Sequence, residues 1–325
     1  MKNIITLILL YPITLMAQFP GAANTAGTDA IFKDSSIIVN WATQVISFNP
    51  GKQDTAVVSS IDASFGTADE ALFAAEGTSA DIVSLGDGGQ ITLSFEHPIM
   101  NGTGPDFAVF ENGFSHTFLE LGHVEVSTNG VNFVRFPSTS NVDASVQTGG
   151  FGSTDPTLIN NLAGKYIQGY GTPFDLEELT DSTDINVDSI NFVRIIDVVG
   201  SIDPAYGSVD ADGDIINDPY PTAFESGGFD LDGIAVIHEN RADAGFIDNS
   251  LSFSVYPNPT NNEVFVNAEN VKSIQLFSIT GALITSIQNE TSISFLDLAL
   301  ESGVYIIQVT SESGRIGNQR ILYQY

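Results

Sequence analysis

The 325-residue chain has no cysteine, one tryptophan, and only 10 Lys+Arg against 40 Asp+Glu. Without cysteine there is no disulfide framework, no thiolate metal site and no cysteine nucleophile. A formal charge of -30 repels phosphate backbones, which excludes nucleic acid as a partner and disfavours an anionic membrane surface. Long apolar runs are scarce too: after the first 18 residues, no window is long and apolar enough for a transmembrane helix. The material for a core is nonetheless present, since 42% of residues are hydrophobic and 22 are Phe. Wholesale disorder is thereby excluded, and the length suits about two domains.

The chain opens on MKNIITLILLYPITLMAQ, with one positive charge at Lys2 and an apolar run from Ile4 to Met16. That run is too short to span a bilayer and reads as a signal peptide over residues 1–17. The small Ala17 before Gln18 suits signal peptidase, so the mature chain is expected to begin at Gln18. An exported protein without disulfides must be held by its core, or by a metal.

Charge then divides the sequence near residue 250. Residues 18–250 carry 34 acidic and 6 basic side chains, whereas residues 251–325 carry 6 and 3. The expected organisation is a passenger over 18–240, a linker over 241–251 and a second domain over 252–325. In the second domain, short runs such as Ser273–Phe277, Ser292–Leu296 and Val304–Thr310 recur between turn residues, which predicts a small antiparallel sandwich. Its wording has a definite order: Tyr256-Pro257-Asn258-Pro259, then Gly303-Val304-Tyr305, then Arg320-Ile321-Leu322. These residues resemble the C-terminal sorting domain of type IX secretion substrates of the Bacteroidota, with Arg320 where that family often has Lys. The resemblance implies recognition by the type IX translocon and a sorting peptidase. It further implies release of the passenger or its attachment to surface lipopolysaccharide.

The passenger alternates short strand-like runs with Gly, Asn, Asp and Pro, which predicts an all-β sandwich with a few short helices. Strands are expected at Ile37–Asn40, Gln90–Phe95, Phe107–Phe110, Val124–Ser127, Phe133–Phe136, Phe192–Val198 and Gly233–His238. Asn129-Gly130 predicts a type I′ hairpin. Helices are expected at Ala71–Ala75 behind a capping box and at Thr157–Ala163 behind Asp155-Pro156, with a helical turn around Phe174–Leu179. Three phrases, Val124–Phe133, Asn191–Ile195 and Phe229–Ile234, are similar in order to those of discoidin and galactose-binding-like domains. The likeness implies a jelly roll and, by fold analogy alone, glycan binding or adhesion.

Acid is densest over Asp175–Asp232, where 15 Asp+Glu face only Arg194. Within it, Asp210, Asp212, Asp214 and Asp218 are spaced so that alternate carboxylates of a Gly-containing loop converge on Ca2+. The spacing resembles thrombospondin type 3 calcium loops, except that Ile215 replaces a Gly. Asp230 and Asp232, on one face of a strand, are further candidates for a cation. Trp41, Tyr170 and Tyr220 are candidate platforms for sugar rings. His116 and His123 form no H-E-x-x-H pattern, and no G-x-S-x-G is present. The expected protein is therefore a non-enzymatic, calcium-stabilised surface or secreted binding module. A carboxylate- or metal-dependent polysaccharide hydrolase and a purely structural surface component are the alternatives.

Overall fold

The computed structural model describes residues 19–241, 251, 253–268, 270–295, 298, 300–312 and 314–324. Ala17, Gln18 and nearly all of the expected linker lie outside the described residues. The chain divides into two compact units, Met1–Arg241 and Ala242–Tyr325.

The first unit is an antiparallel sandwich. One sheet holds β1 (Ile31–Phe32), β2 (Asn40–Trp41), β4 (Val83–Ser84), β6 (Phe107–Glu111), β11 (Tyr170–Phe174) and β13 (Asp230–Val236). Its order is β1-β11-β6-β13-β2, with β4 also on β13. The other holds β3 (Gln44–Asn49), β5 (Gln90–Ile99), β7 (Gly122–Ser127), β8 (Val134–Arg135) and β12 (Ile190–Asp197), in the order β3-β5-β12-β7-β8. A separate short pair joins β9 (Thr139–Ser140) to β10 (Ile159–Asn160). Strand neighbours are mostly distant in sequence, as in a jelly roll rather than a meander.

Period-two alternation builds the core between the sheets. Phe107 and Val109 of β6 join Val124 and Val126 of β7 and Val193 and Ile195 of β12 in one buried cluster. The intervening Ala108 and Phe110 face the other way, where Trp41 covers Phe110 with ring centroids 5.2 Å apart. On the second sheet, Arg194 reaches Glu125, which Arg135 also pairs at 2.8 Å, and stands 3.8 Å above the Phe133 ring. One guanidinium thus ties together two of the phrases shared with galactose-binding-like domains.

Local expectations are corrected in places. Asn129-Gly130 is not a two-residue type I′ turn, because of the pair only Gly130 has positive φ, at 73°. Ser127 Oγ instead accepts from the Asn129 and Gly130 N–H groups, and Asn129 Oδ1 from Val131 and Asn132, so side chains cap a longer loop. In place of the helix expected at Ala71–Ala75 there is a 3-10 turn at Ala68–Ala71, and in place of that at Thr157–Ala163 one at Pro156–Leu158. The turn expected around Phe174–Leu179 is present as a 3-10 turn at Leu176–Leu179. Ile37–Val39 lies outside the strand, which begins at Asn40.

The second unit has two small sheets: β14 (Ser254–Tyr256), β15 (Glu263–Asn267) and β18 (Ser292–Ser294), and β16 (Val271–Ser278), β17 (Leu283–Gln288), β19 (Gly303–Ser311) and β20 (Ile316–Tyr323). Val255, Val264, Val266 and Ile293 of the first share a core with Ile274, Leu276, Ile307, Val309 and Ile321 of the second.

Candidate functional site

At the C-terminal end of β6, the alternation that buries Phe107 and Val109 ends on a carboxylate, Glu111, 1% exposed. Its ladder partner on β13 is Leu231, so the adjacent Asp230 starts its strand beside Glu111. A third carboxylate arrives from the connection to β7. Leu119 and Leu121 are both buried with Ile159, Leu162, Val198 and Ile216, and this anchorage turns Glu120 inward. Glu111, Glu120 and Asp230 each offer an oxygen within 4.8 Å of the others.

The surroundings supply few donors. Gly113 N–H donates to Glu111 Oε2 at 2.8 Å, and Ser84 Oγ donates to Asp230 Oδ1. Asp218 enters from the long loop before β13, where its Oδ2 accepts from Leu121 N–H at 2.8 Å. Glu111 Oε1, Asn112 Oδ1 and Asp218 Oδ1 are buried without a hydrogen-bond partner among the described residues. Burial, then repulsion from Asp230, holds Glu111 and Glu120 well above the usual carboxylate range. Burial raises Asp218 likewise and pushes Asp230 up to about 7.

Glu120 and Asp230 also line a cavity of about 50 Å³ rimmed by Phe114, Phe118, Phe151 and Phe224. The rings form a chain, with centroids 5.5, 6.4 and 5.7 Å apart from Phe114 through Phe118 and Phe151 to Phe224. Phe114, Phe151 and Phe224 are 58%, 77% and 49% exposed, although Phe usually lies inside. Each sits in loop sequence rich in Gly and Ser, as in Gly149-Gly150-Phe151-Gly152, with no apolar neighbours at strand period. An isolated Phe in a Gly- and Ser-rich loop is the sequence signal for this rim.

The acidic loop arranges itself otherwise than expected. Asp210 is its internal cap: Oδ1 accepts from Asp212 and Asp214 N–H, and Oδ2 from Ser140 N–H, each at 3.0 Å. Asp212 and Asp214 are exposed, while Asp218 turns away to Leu121. Among the described residues, the only set of three convergent acidic or imidazole ligands is Glu111, Glu120 and Asp230. Asp232 stands apart from Asp230, its carboxylate accepting from Glu76 and Gly77 N–H. The expected sugar platforms are engaged elsewhere. Trp41 packs on Phe110, Tyr170 on Phe32, and Tyr220 is buried with its hydroxyl on Asp54 at 2.9 Å.

In the second unit, Asn258 explains the Tyr-Pro-Asn-Pro wording. Its amide donates to Arg320 C=O and its Oδ1 accepts from Leu322 N–H, both at 2.9 Å, clasping β20. Gly303 and Tyr305 pair with Tyr323 and Ile321 across β19 and β20, and Arg320 lies exposed on the outer strand. Residues 254–323 match the family model described as the secretion system C-terminal sorting domain. This unit is a type IX sorting domain. It directs the chain, by type IX secretion, to the cell surface or the medium. Beyond the sorting domain the comparisons are thin. No curated protein matches. Among solved structures, β-glucuronidase from Ruminococcus gnavus in complex with D-glucuronic acid is 12% identical at a TM-score of 0.17, covering 72% of this chain and 36% of that one. The same enzyme with C6-substituted uronic isofagomine gives 12% identity and 0.22, covering 90% and 47%. Lactobacillus rhamnosus β-glucuronidase gives 12% and 0.16, covering 73% and 36%. The chain spans less than half the length of these enzymes, and at such TM-scores the likeness carries no argument. Among the described residues no helix is long and apolar enough to cross a membrane.

Proposed function

We propose that the exported passenger is a glycan-binding module serving adhesion. The observation that carries this reading is the chain of phenylalanine rings, three of them exposed, around a recess ending at Glu120 and Asp230. Aromatic faces stack on the C–H faces of sugar rings, and carboxylates accept from sugar hydroxyls. The exposed rings therefore offer an apolar platform for a sugar resting on the rim, with the carboxylates at its inner edge. The likeness of Val124–Phe133, Asn191–Ile195 and Phe229–Ile234 to galactose-binding-like domains agrees with it at the level of fold.

The test is a glycan array probed with the mature chain and with Phe151→Ala/Phe224→Ala. At least one glycan should bind, and the double variant should lose about tenfold or more in affinity, an aromatic contact of roughly 1.5 kcal/mol. Because both rings are exposed, its melting temperature should stay near that of the parent. Absence of binding to every glycan, or unchanged affinity in the variant, would contradict the proposal. The paired carboxylates beneath the rim favour a second reading, a polysaccharide hydrolase in which protonated Glu120 is the acid. Turnover of an array hit, abolished by Glu120→Gln, would select that reading.

A further inference from the structure

Four carboxylates gather at one end of the sandwich: Glu111, Glu120, Asp218 and Asp230, all 6% exposed or less. Among the described residues, none of them is in an ion pair with Lys, Arg or His. Nor do hydrogen bonds satisfy the group. Glu111 Oε1 and Asp218 Oδ1 have no donor, and Asn112, whose amide meets Asp230, keeps its own Oδ1 unpaired and buried. Buried carboxylates this close are costly to keep charged, and either protons or a cation set among them relieves that cost.

Every free atom here is oxygen. A set of carboxylates and an amide, without sulfur or imidazole, selects a hard cation over zinc or copper. Calcium accepts 6–8 oxygens at 2.3–2.6 Å in irregular geometry, so donors on opposite sides of the ion stand about 4.6–5.2 Å apart. The oxygens of Glu111, Glu120 and Asp230, all within 4.8 Å of one another, fit inside such a shell. The recess lined by Glu120 and Asp230 supplies an entry path and an open side.

We propose that Glu111, Glu120 and Asp230 hold one divalent cation of the calcium type, with Asn112 Oδ1 and Asp218 Oδ1 beside them as further donors. The cation expected at Asp210–Asp218 is thus assigned to a different place, which shares Asp218 with that loop and takes in Asp230, the further candidate from the sequence. Asp210 is already occupied with backbone N–H groups, whereas Glu111 Oε1, Asn112 Oδ1 and Asp218 Oδ1 have no donor among the described residues.

The experiment is calorimetric titration of the chelator-stripped mature chain with calcium alone and with magnesium alone, alongside thermal unfolding. One calcium per chain should bind and raise the melting temperature, with magnesium weaker. Glu120→Gln and Asp230→Asn should each weaken calcium binding at least tenfold, while Asp212→Ala/Asp214→Ala leaves it unchanged. No binding at millimolar calcium, or binding lost in the loop variant and kept in the cluster variants, overturns the assignment. Should a cluster variant fail to fold, anomalous diffraction from wild-type crystals soaked in terbium decides instead. Density among Glu111, Glu120 and Asp230 supports the site, and density confined to Asp210–Asp214, or none, refutes it. Since calcium alone is the titrant, failure here leaves the glycan reading standing, and failure of the Phe151/Phe224 test leaves the cation site standing.

Discussion

Asp197 and Glu120 are both buried carboxylates held in opposite ways. Asp197 accepts from Phe229 N–H at 2.7 Å and Gly88 N–H at 2.9 Å, so it serves two backbone groups that have few alternatives. Among the described residues, nothing donates to the Glu120 carboxylate. Asp197→Ala should therefore cost about 2–4 kcal/mol by stranding two buried donors. Glu120→Gln, in chelator, should leave stability equal or higher; urea unfolding of both variants checks the contrast. Proton linkage separates two further residues. Burial, partly offset by the Thr55 N–H bond, pushes Asp87 up to about 6. The stability that its neutral form contributes is complete below the unfolded value near 3.8 and lost as pH rises through about 6. Burial, then Arg135, pushes His123 down to about 4. Its neutral form contributes stability that is present above about 6.5 and lost as pH falls through about 4, roughly 3 kcal/mol over that window. Urea midpoints measured in chelator should flatten between pH 4 and 6 in Asp87→Asn, and between pH 6.5 and 4 in His123→Gln. Unchanged slopes would contradict these roles.

At the scale of elements, the strands were legible wherever period two was strong. Gln90–Phe95 reappears within β5, because alternation reports burial against the facing sheet, and the continuous apolar run Phe107–Phe110 reappears within β6, buried on both faces. Helices were overestimated where the start signals were real but nothing sustained them. Asp155 caps Thr157 N–H at 2.9 Å as expected, yet the chain leaves the turn after Leu158 and Ile159 enters a strand. Likewise Glu70 accepts from Thr67 N–H, while Phe73 at φ 67° ends any helix. Local caps open a turn, but strand pairing decides whether it continues. One glycine links element geometry to the site. Gly164 has φ +83°, and a Cβ there would meet Glu120 C=O at 1.8 Å. Gly164→Ala should displace the Glu120 loop, lower stability by about 2 kcal/mol or more and abolish the thermal response to calcium. Gly213→Ala, at φ +87° but in open space, should cost about 1 kcal/mol and keep that response.

For the whole molecule, charge and address are partitioned between the two units. The sorting domain was readable because its motifs are contiguous stretches of sequence, and the first of them, at Asn258, clasps the last on β20. Deleting residues 252–325 should trap the passenger in the periplasm, detected by immunoblot of cell fractions; secretion of the truncated chain at the normal level would contradict the assignment. Asn258→Ala should destabilise the sorting domain by about 1–2 kcal/mol through loss of two hydrogen bonds, read in its melting transition.

Sequence by itself determined the all-β character, the export route and the need for a core without disulfides, since alternation, short contiguous motifs and composition act locally or as sums. It also placed the acid in the passenger. Which carboxylates meet was decided only by tertiary structure. The regular spacing of Asp210, Asp212 and Asp214 led to a self-capped loop, because the nearest donors to a loop carboxylate are its own backbone N–H groups. Glu111, Glu120 and Asp230 share no spacing at all. The pairing of β6 with β13 and the anchoring of Leu119 and Leu121 bring them together, and such convergence depends on which strands are neighbours.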